Sequence, residues 1–188
     1  MTSSDWTKRR SSDWYFRVGT GLGMSTLYFS FGYKFFPFQL PVMDSVLDRL
    51  VFTLRWQICG AFVLFMGMRG VMYIREKNDC AADPMNSRGV QLTQLARNIL
   101  QNTLEQYLLH FVAQMILCTY LTSETMKVIP LLVVLFVVAR IAFKVGYEKE
   151  PMVRCYGFSS SMLPTLLTCV YCLYCFVIYG AGYGVGKQ

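Results

Sequence analysis

Apolar blocks of about twenty residues recur along this chain, and they limit its possible folds more than any other feature. Five blocks qualify, at residues 16–36, 50–74, 104–121, 128–147 and 158–179. Each can cross a hydrocarbon core of about 30 Å as a single helix. Strands of a transmembrane barrel would instead alternate apolar and polar residues over about ten positions, which these blocks do not do. Because its hydrophobic residues, 54% of the total, gather in blocks, the chain is predicted to be an all-α integral membrane protein.

The distribution of basic residues predicts how the chain is oriented. A soluble protein with a net charge of +7 would suggest a nucleic-acid partner. Here the charges cluster in the loops between the apolar blocks. We therefore expect the chain to lie in a lipid bilayer, and we expect no nucleic-acid partner. The N-terminal side of the predicted membrane carries the excess: Lys8, Arg9, Arg10, Arg17, Arg69, Arg75, Lys77, Arg88, Arg97, Lys144, Lys149 and Arg154. The positive-inside rule then places the N-terminus in the cytosol and, after five crossings, the C-terminus in the lumen.

The blocks divide the chain into five parts. In order, these are a cytosolic polar arm, a first transmembrane helix, a connector, a unit of four transmembrane helices and a glycine-rich tail, at residues 1–15, 16–36, 37–49, 50–180 and 181–188. The longest polar loop is predicted at 75–94, and a shorter loop at 148–157 lies on the same side. A tight turn is expected at 122–125. Pro151 suits the first turn of the last helix.

Two local patterns leave alternatives open. Gly19 and Gly23 form a GxxxG pair, which either permits close helix packing or reflects how common glycine is in membrane helices. Cys169, Cys172 and Cys175 follow one face of the last predicted helix. The chain contains only one histidine, which disfavours a metal site there. Packing by small side chains is therefore predicted, and no metal is expected.

A polar stripe marks the start of the third apolar block. Asn98, Asn102 and Glu105 are spaced four and three residues apart, which places them on one face of a helix. A solvated helix end would explain the two asparagines, but apolar sequence follows Glu105 at once. An ionisable residue in that position is costly unless it is paired, so it predicts a functional site.

Arg140 is the predicted partner of Glu105. It lies within the apolar fourth block, where no acidic residue occurs before Glu148. If the third and fourth helices are antiparallel neighbours, both charges lie toward the cytosolic halves of their helices. The sequence predicts that Arg140 and Glu105 pair, either directly or through a bound anion. Such a pair either fixes the register of the two helices or forms part of a polar pocket.

Tyr147 and Arg154 extend the candidate site toward the cytosol. Arg140, Phe143 and Tyr147 share a helical face, and Arg154 follows near the start of the last helix. A cation at a helix start is a poor match to the helix dipole. Either something anionic lies beside Arg154, or Arg154 is a surface arginine.

Taken together, these motifs resemble a known family. The pattern NxxxNxxE at residues 98–105, followed by RxxFxxGYxxxPxxR at 140–154, is similar to the MAPEG superfamily (membrane-associated proteins in eicosanoid and glutathione metabolism). The resemblance covers roughly residues 50–180. The segments QNTLEQ and RIAFKVGYEKEPMVRCYGF look most like bacterial-type and mattrin-like members, and the latter carry an extra span ahead of the shared unit.

The resemblance carries expectations for fold, assembly and site. It implies a four-helix bundle preceded by one extra transmembrane helix, and a homotrimer with glutathione bound between subunits on the cytosolic side. Carried over by position, it implies glutathione-binding roles for five residues: Asn98, Asn102, Glu105, Arg140 and Tyr147. Arg154 matches the arginine implied to activate the thiol of glutathione, and it is the candidate catalytic residue.

The chain also departs from the pattern of the enzymes. Asn98 stands where they have arginine, and Gln106 and Phe143 stand where tyrosine is frequent. Arg97 is displaced from the arginine position by about 100° round a helix. Each lost bond to a charged group is worth roughly 1.5–3 kcal/mol. The sequence therefore leaves open whether the chain is an enzyme.

Two functions follow from the resemblance. The first is a non-catalytic protein of secretory or endolysosomal membranes that acts in trafficking or on membrane-protein partners, as for mattrin-like members. The alternative is a glutathione-dependent transferase or peroxidase for lipophilic substrates, in which a cation-stabilised thiolate attacks an electrophile from the bilayer. A transporter is a third option, but the inverted repeat typical of that class is not visible.

Overall fold

The protein is described here from a computed structural model, which covers residues 3–35, 39–83, 85–149 and 153–183. Within these ranges the regular structure is helical: α1 (Ser3–Lys34), α2 (Val46–Lys77), α3 (Asp79–Ala82), α4 (Ser87–Tyr120), α5 (Val128–Lys149) and α6 (Arg154–Tyr179). The prediction of an all-α fold is confirmed. The prediction that Pro151 opens the last helix falls outside the described residues.

Local sequence signals set the helix ends. The hydroxyl of Ser45 accepts a hydrogen bond of 3.1 Å from the amide of Leu47 and caps α2. The side chain of Asn86 caps α4 by accepting bonds from the amides of Arg88 and Gly89. Such caps satisfy amides that have no partner within the helix. A 3₁₀ turn, Ser123–Lys127, joins α4 to α5 where the sequence predicts a turn.

Several helices extend into polar segments that the sequence predicts to lie outside them. The stretch 75–94 is predicted as one loop, but Lys77 ends α2, Asp79–Ala82 forms α3, and α4 begins at Ser87. Likewise α1 begins at Ser3, ahead of the first apolar block. Hydropathy marks only the part of a helix that can lie in lipid, whereas backbone hydrogen bonding continues to the next cap. The prediction of a long irregular loop is therefore wrong.

Four helices form a bundle, and a fifth packs against its outside. α2 packs along α4, and α5 packs along α6; α2 also contacts α5, and α4 contacts α6. α1 lies against α6 and α5. This is the predicted four-helix unit with one extra helix ahead of it. α5 is apolar on nearly every face and is buried along most of its length, as expected for a central helix.

Three helical segments in the described ranges are long and apolar enough to cross a membrane: α2, the 3₁₀ turn together with α5, and α6. α1 and α4 are of similar length but more polar. The chain is an integral membrane protein. For α1 and α4, however, the spans expected at residues 16–36 and 104–121 remain predictions.

Polar side chains in the middle of the bundle bond to one another. The Gln57 amide donates to Oε1 of Gln114 at 2.8 Å, and Nε2 of Gln114 lies 2.8 Å from Nε2 of His110. On its other side, Nδ1 of His110 lies 3.5 Å from the hydroxyl of Thr165. All four residues are buried. This chain of contacts ties α2, α4 and α6 together, because polar groups in an apolar interior need partners.

The docking of α1 uses a different glycine from those the sequence singles out. A Cβ at Gly21 would collide with the hydroxyl of Ser159, and the Ser160 hydroxyl donates to the Gly21 carbonyl at 3.2 Å. Nothing lies within 4 Å of a Cβ placed on Gly19 or Gly23. Of the two alternatives for the GxxxG pair, close packing within the chain therefore does not apply. Gly21 is the position where α1 and α6 approach closely.

Candidate functional site

The polar stripe of α4 forms one wall of a cavity. Asn98, Asn102 and Glu105 all line it, together with Gln101 from the same helix. Asn98 and Glu105 are exposed, and Asn102 is half-buried. The predicted helical spacing therefore brings these three residues to one space, as expected for positions three and four apart.

The opposite wall comes from the junction of α5 and α6. Phe143 and Tyr147 of α5 line the cavity, as do Arg154 and Cys155 in the first turn of α6. The two helices meet closely at Gly157, where a Cβ would overlap the backbone of Ala139 and Phe143. A larger residue at this position would push the first turn of α6, and with it Arg154, away from α5.

The cavity has a volume of about 590 Å³, which is within the usual range for small-molecule sites. Trp14 and Val18 of α1 complete its wall. The remaining wall is largely apolar: Phe158, Met162 and Leu163 from α6 face the polar residues of α4. The cavity can therefore hold an amphipathic molecule with a polar end toward Asn98, Asn102, Glu105 and Arg154.

Arg140 lies behind this wall and does not line the cavity itself. It is 1% exposed, and its Nη2 donates to Oδ1 of Asn102 at 3.0 Å and to the hydroxyl of Thr103 at 2.8 Å. Its guanidinium carbon lies 4.0 Å from the centre of the Phe143 ring. Nε and Nη1 have no hydrogen-bond partner among the described residues. Arg140 therefore supports the cavity through Asn102 and Phe143.

The predicted direct pair between Arg140 and Glu105 is wrong. The Glu105 carboxylate instead accepts a hydrogen bond of 2.9 Å from the Gln101 amide. Among the described residues, the one ion pair joins Arg69 to Glu76. Thr103 and Glu105 are two positions apart, about 200° round the helix, so a guanidinium bound to Thr103 faces away from Glu105. Pairing through a bound anion stays a prediction.

Arg154 stacks on a neighbouring aromatic ring. Its guanidinium carbon lies 4.5 Å from the centre of the Tyr147 ring, and both residues are half-buried. Tyr147 also meets Phe143 edge to face, with ring centres 5.4 Å apart. This cation–π contact holds the guanidinium at the cavity, where its charge can attract an anion.

Two of the three cysteines singled out from the sequence pack inside the bundle, and the third, Cys169, is half-buried. Cys172 and Cys175 are buried, and Cys172 belongs to the apolar core with Leu117 and Ile129. In the part of the chain that the structure describes, no three metal-ligating side chains come together.

Several cavity residues were not singled out from the sequence as site residues. Cys155, Phe158 and Met162 follow Arg154 at helical spacing along the first turns of α6. This spacing could have predicted from the sequence that they line the same site as Arg154. Trp14 and Val18 carried no such signal, because only the docking of α1 on α6 brings them to the cavity.

A comparison with protein families identifies the bundle. The model of the MAPEG family matches residues 53–174, which is most of the chain. The chain belongs to the MAPEG family. The match includes all six site residues predicted from the sequence and excludes α1. Within this MAPEG chain, Trp14 and Val18 therefore reach the cavity from outside the family region.

Curated relatives extend this result. The chain is 29% identical over 144 residues to Transmembrane protein 79 from Mus musculus, covering 76% of the chain and 36% of the relative. It is 27% identical over 136 residues to Transmembrane protein 79 from Bos taurus, covering 71% of the chain and 33% of the relative. The chain thus spans about a third of the length of these relatives. No solved structure matched the chain significantly.

The MAPEG family generally uses glutathione, and the cavity of this chain offers groups that can bind it. A tripeptide offers carboxylates, peptide N–H groups and carbonyls. Arg154 can attract a carboxylate, and Asn98 and Asn102 offer both donors and acceptors. Buried polar atoms without a partner in the described residues also lie close by, at Gln106 and Arg140. The polar end of the cavity therefore fits the ligand, although its apolar wall fits a lipophilic group better.

Proposed function

We propose that this MAPEG chain is a non-catalytic protein of secretory or endolysosomal membranes, which binds a peptide-like anion such as glutathione and acts on the trafficking or regulation of membrane partners. The make-up of the cavity carries the proposal. Residues at the family's ligand positions, among them Asn102, Glu105 and Arg154, share one cavity, but α1 forms part of its wall and Phe143 supplies a ring without a hydroxyl. This arrangement favours binding over chemistry.

The cations available to a ligand support the absence of turnover. Asn98 brings no charge to the wall. Arg97 does not line the cavity but an adjoining hollow along α4, which shares Asn98 and Gln101 with it. Arg140 is bonded to Asn102 and Thr103. Among the residues that the structure describes, Arg154 is then the cation that lines the cavity. Each missing bond to a charged group lowers the binding free energy of the ligand by roughly 1.5–3 kcal/mol. We expect such losses to abolish the tight positioning of a reactive thiolate before they abolish binding.

The second candidate is a glutathione transferase or peroxidase for lipophilic substrates. One observation favours it: Arg154 lies in the cavity beside a largely apolar wall that includes Phe158 and Leu163. Bound glutathione would supply the nucleophilic thiol. Arg154 would then hold its charge, and the apolar wall would receive an electrophile from the bilayer.

We further propose that the chain assembles as a homotrimer. Glu105 and Gln101 line the cavity, yet both are exposed on the outer face of α4. Polar groups facing lipid are costly. A second copy packed against this face would cover them and complete the cavity. Native mass spectrometry from a mild detergent should give the mass of three chains, and a monomer alone would contradict the assembly.

Calorimetric titration of glutathione into the purified protein tests the ligand. The wild-type protein should bind in the millimolar range, whereas Arg154→Ala and Asn102→Ala should weaken binding by about tenfold or more, as expected for loss of a charged or bridging bond. Arg69→Ala is the matched control, because Arg69 is an exposed cation paired with Glu76 away from the cavity. Its binding should equal that of the wild type.

Activity and location are measured on the same variants. An aryl halide should not be conjugated to glutathione faster than in buffer, whereas turnover lost in Arg154→Ala would make the enzyme the better description. If the wild-type protein does not bind glutathione, the proposal that glutathione is its ligand is wrong.

Fluorescence microscopy of the tagged chain tests the location. The tagged chain should appear in Golgi or lysosomal membranes, and its presence in the plasma membrane alone would contradict the proposed location.

A further inference from the structure

The cavity contains a thiol that neither the family match nor the proposed function uses. Cys155 lines it, next to Arg154 in the first turn of α6, and is half-buried. We propose that Cys155 forms a reversible mixed disulfide with a thiol tripeptide held in the cavity, so that the chain responds to the oxidation state of glutathione. This inference rests on the proposed function, because it requires the cavity to take glutathione.

Cys155 differs from the other cysteines by position. All seven are free thiols, and it is the one that lines this cavity. Cys118, Cys172 and Cys175 are buried in the bundle. Cys80 is also half-buried but lies in α3, outside the cavity lining. Selective modification requires an accessible thiol with a bound reagent beside it, and Cys155 lines the cavity that would hold the proposed tripeptide.

Two buried polar residues with atoms unpartnered in the described part of the chain lie next to the cavity wall. Gln106 is 5% exposed, and its Nε2 donates at 3.0 Å to Sδ of Met162, which lines the cavity. Its Oε1 has no partner among the described residues. Arg140, bonded to the cavity residue Asn102, keeps two N–H groups without a described partner. Both act on the cavity through the lining residues that they bond, Met162 and Asn102.

The charges beside Cys155 suit an anionic tripeptide. Arg154 precedes Cys155 in the chain, and its guanidinium is held on the Tyr147 ring at the cavity. Glutathione carries carboxylates, which this guanidinium attracts. Glu105, on the α4 wall, can in turn accept from the ammonium group of the ligand. The two charges orient the tripeptide so that its sulfur can approach the thiol.

The step is thiol–disulfide exchange with glutathione disulfide as the oxidant. The Cys155 sulfur, after losing its proton, attacks one sulfur of the disulfide. A new bond forms between Cys155 and that sulfur while the original sulfur–sulfur bond breaks. The second glutathione leaves as a thiolate and takes up a proton. Cys155 is oxidised and the departing glutathione is reduced; attack by reduced glutathione reverses the step.

Peptide mapping by mass spectrometry tests the proposal. Folded protein in detergent is treated with glutathione disulfide or with hydroxyethyl disulfide, a small neutral disulfide. With glutathione disulfide, Cys155 should react at least about tenfold faster than Cys80, and this preference should shrink with the neutral reagent. Arg154→Gln should slow only the reaction with glutathione disulfide. The control Cys80→Ser should leave the adduct at Cys155 unchanged.

A parallel titration separates failure of this inference from failure of the proposed function. Wild-type protein kept reduced with a phosphine should bind reduced glutathione by calorimetry whether or not Cys155 forms a disulfide, and Cys80→Ser, whose thiol lies outside the cavity lining, should bind equally. Binding by these reduced samples, together with equal reaction of Cys155 and Cys80 in the wild type, would overturn the redox inference alone. Absence of glutathione binding from both reduced samples would overturn the proposed ligand as well.

Discussion

Arg140 is a buried cation, and no carboxylate in the described part of the chain bonds to it. Its charge is offset by hydrogen bonds to Asn102 and Thr103 and by the Phe143 ring. Two of its N–H groups have no described partner. Burial of a charge under these conditions costs more than two neutral hydrogen bonds return. A protein keeps such a residue when it serves a ligand, which agrees with its place behind the cavity wall.

We expect Arg140→Met to raise the stability of the ligand-free protein by about 1–4 kcal/mol, as when other buried charges are replaced by apolar residues. The same variant should lose glutathione binding, because Asn102 is no longer held. Melting in detergent, with and without glutathione, measures both effects. The control is Arg69→Met at an exposed ion pair, which should shift stability by less than about 0.5 kcal/mol. A lower melting temperature for Arg140→Met would show that its hydrogen bonds outweigh the cost of burial.

For individual residues, the sequence predicts correctly which face of α4 lines the cavity, but the predicted direct contact between Arg140 and Glu105 is wrong. The spacing of Asn98, Asn102 and Glu105 fixes a shared face, because helical periodicity is local. The partner of Arg140 was not predictable, because it depends on how α5 is rotated against α4. In the structure that rotation turns Arg140 toward Thr103 and away from Glu105.

At the scale of the helix, α1 is attached to the bundle through small side chains. The Ser160 hydroxyl donates to the Gly21 carbonyl, and the Tyr28 hydroxyl donates to the Leu131 carbonyl at 3.2 Å. Close approach of two helices at a glycine is a usual source of affinity in membranes. The same docking brings Trp14 to the cavity, so the position of α1 bears directly on ligand access.

The Gly21→Val variant should loosen α1. Its added side chain would overlap Ser159, and overpacking of this kind costs roughly 1–3 kcal/mol. We expect faster proteolysis in the connector before Ser45 and weaker glutathione binding, since Trp14 moves with the helix. Gly23→Val is the matched control, because nothing lies within 4 Å of its Cβ. Equal effects of the two substitutions would argue against the docking contact at Gly21.

For the whole molecule, orientation follows from where the charges lie along the helices. The ends of α2 and α5 that carry Lys77 and Lys149 belong to the side rich in basic residues, as does the start of α6 at Arg154. The positive-inside rule assigns that side to the cytosol. On this assignment, which is a proposal, the cavity that Arg154 lines would open toward the cytosol.

An N-glycosylation site appended to either end tests this orientation. A site added after Gln188 should be glycosylated in mammalian cells, and a site added before Met1 should not, because five crossings put the ends on opposite sides. Gel mobility with and without an endoglycosidase gives the measurement. Glycosylation at both ends would mean an even number of crossings and would remove α1 or α4 from the membrane.

The sequence by itself determined the class of fold, the number of long helices and the motif that places the chain in the MAPEG family. These depend on hydropathy and on local spacing, which the chain carries residue by residue. Only the tertiary structure decided that α1 lines the cavity, that Gly21 is the contact glycine, and that Cys155 joins the site. Each depends on the rotation and depth of one helix against another, and these are set by packing many side chains at once.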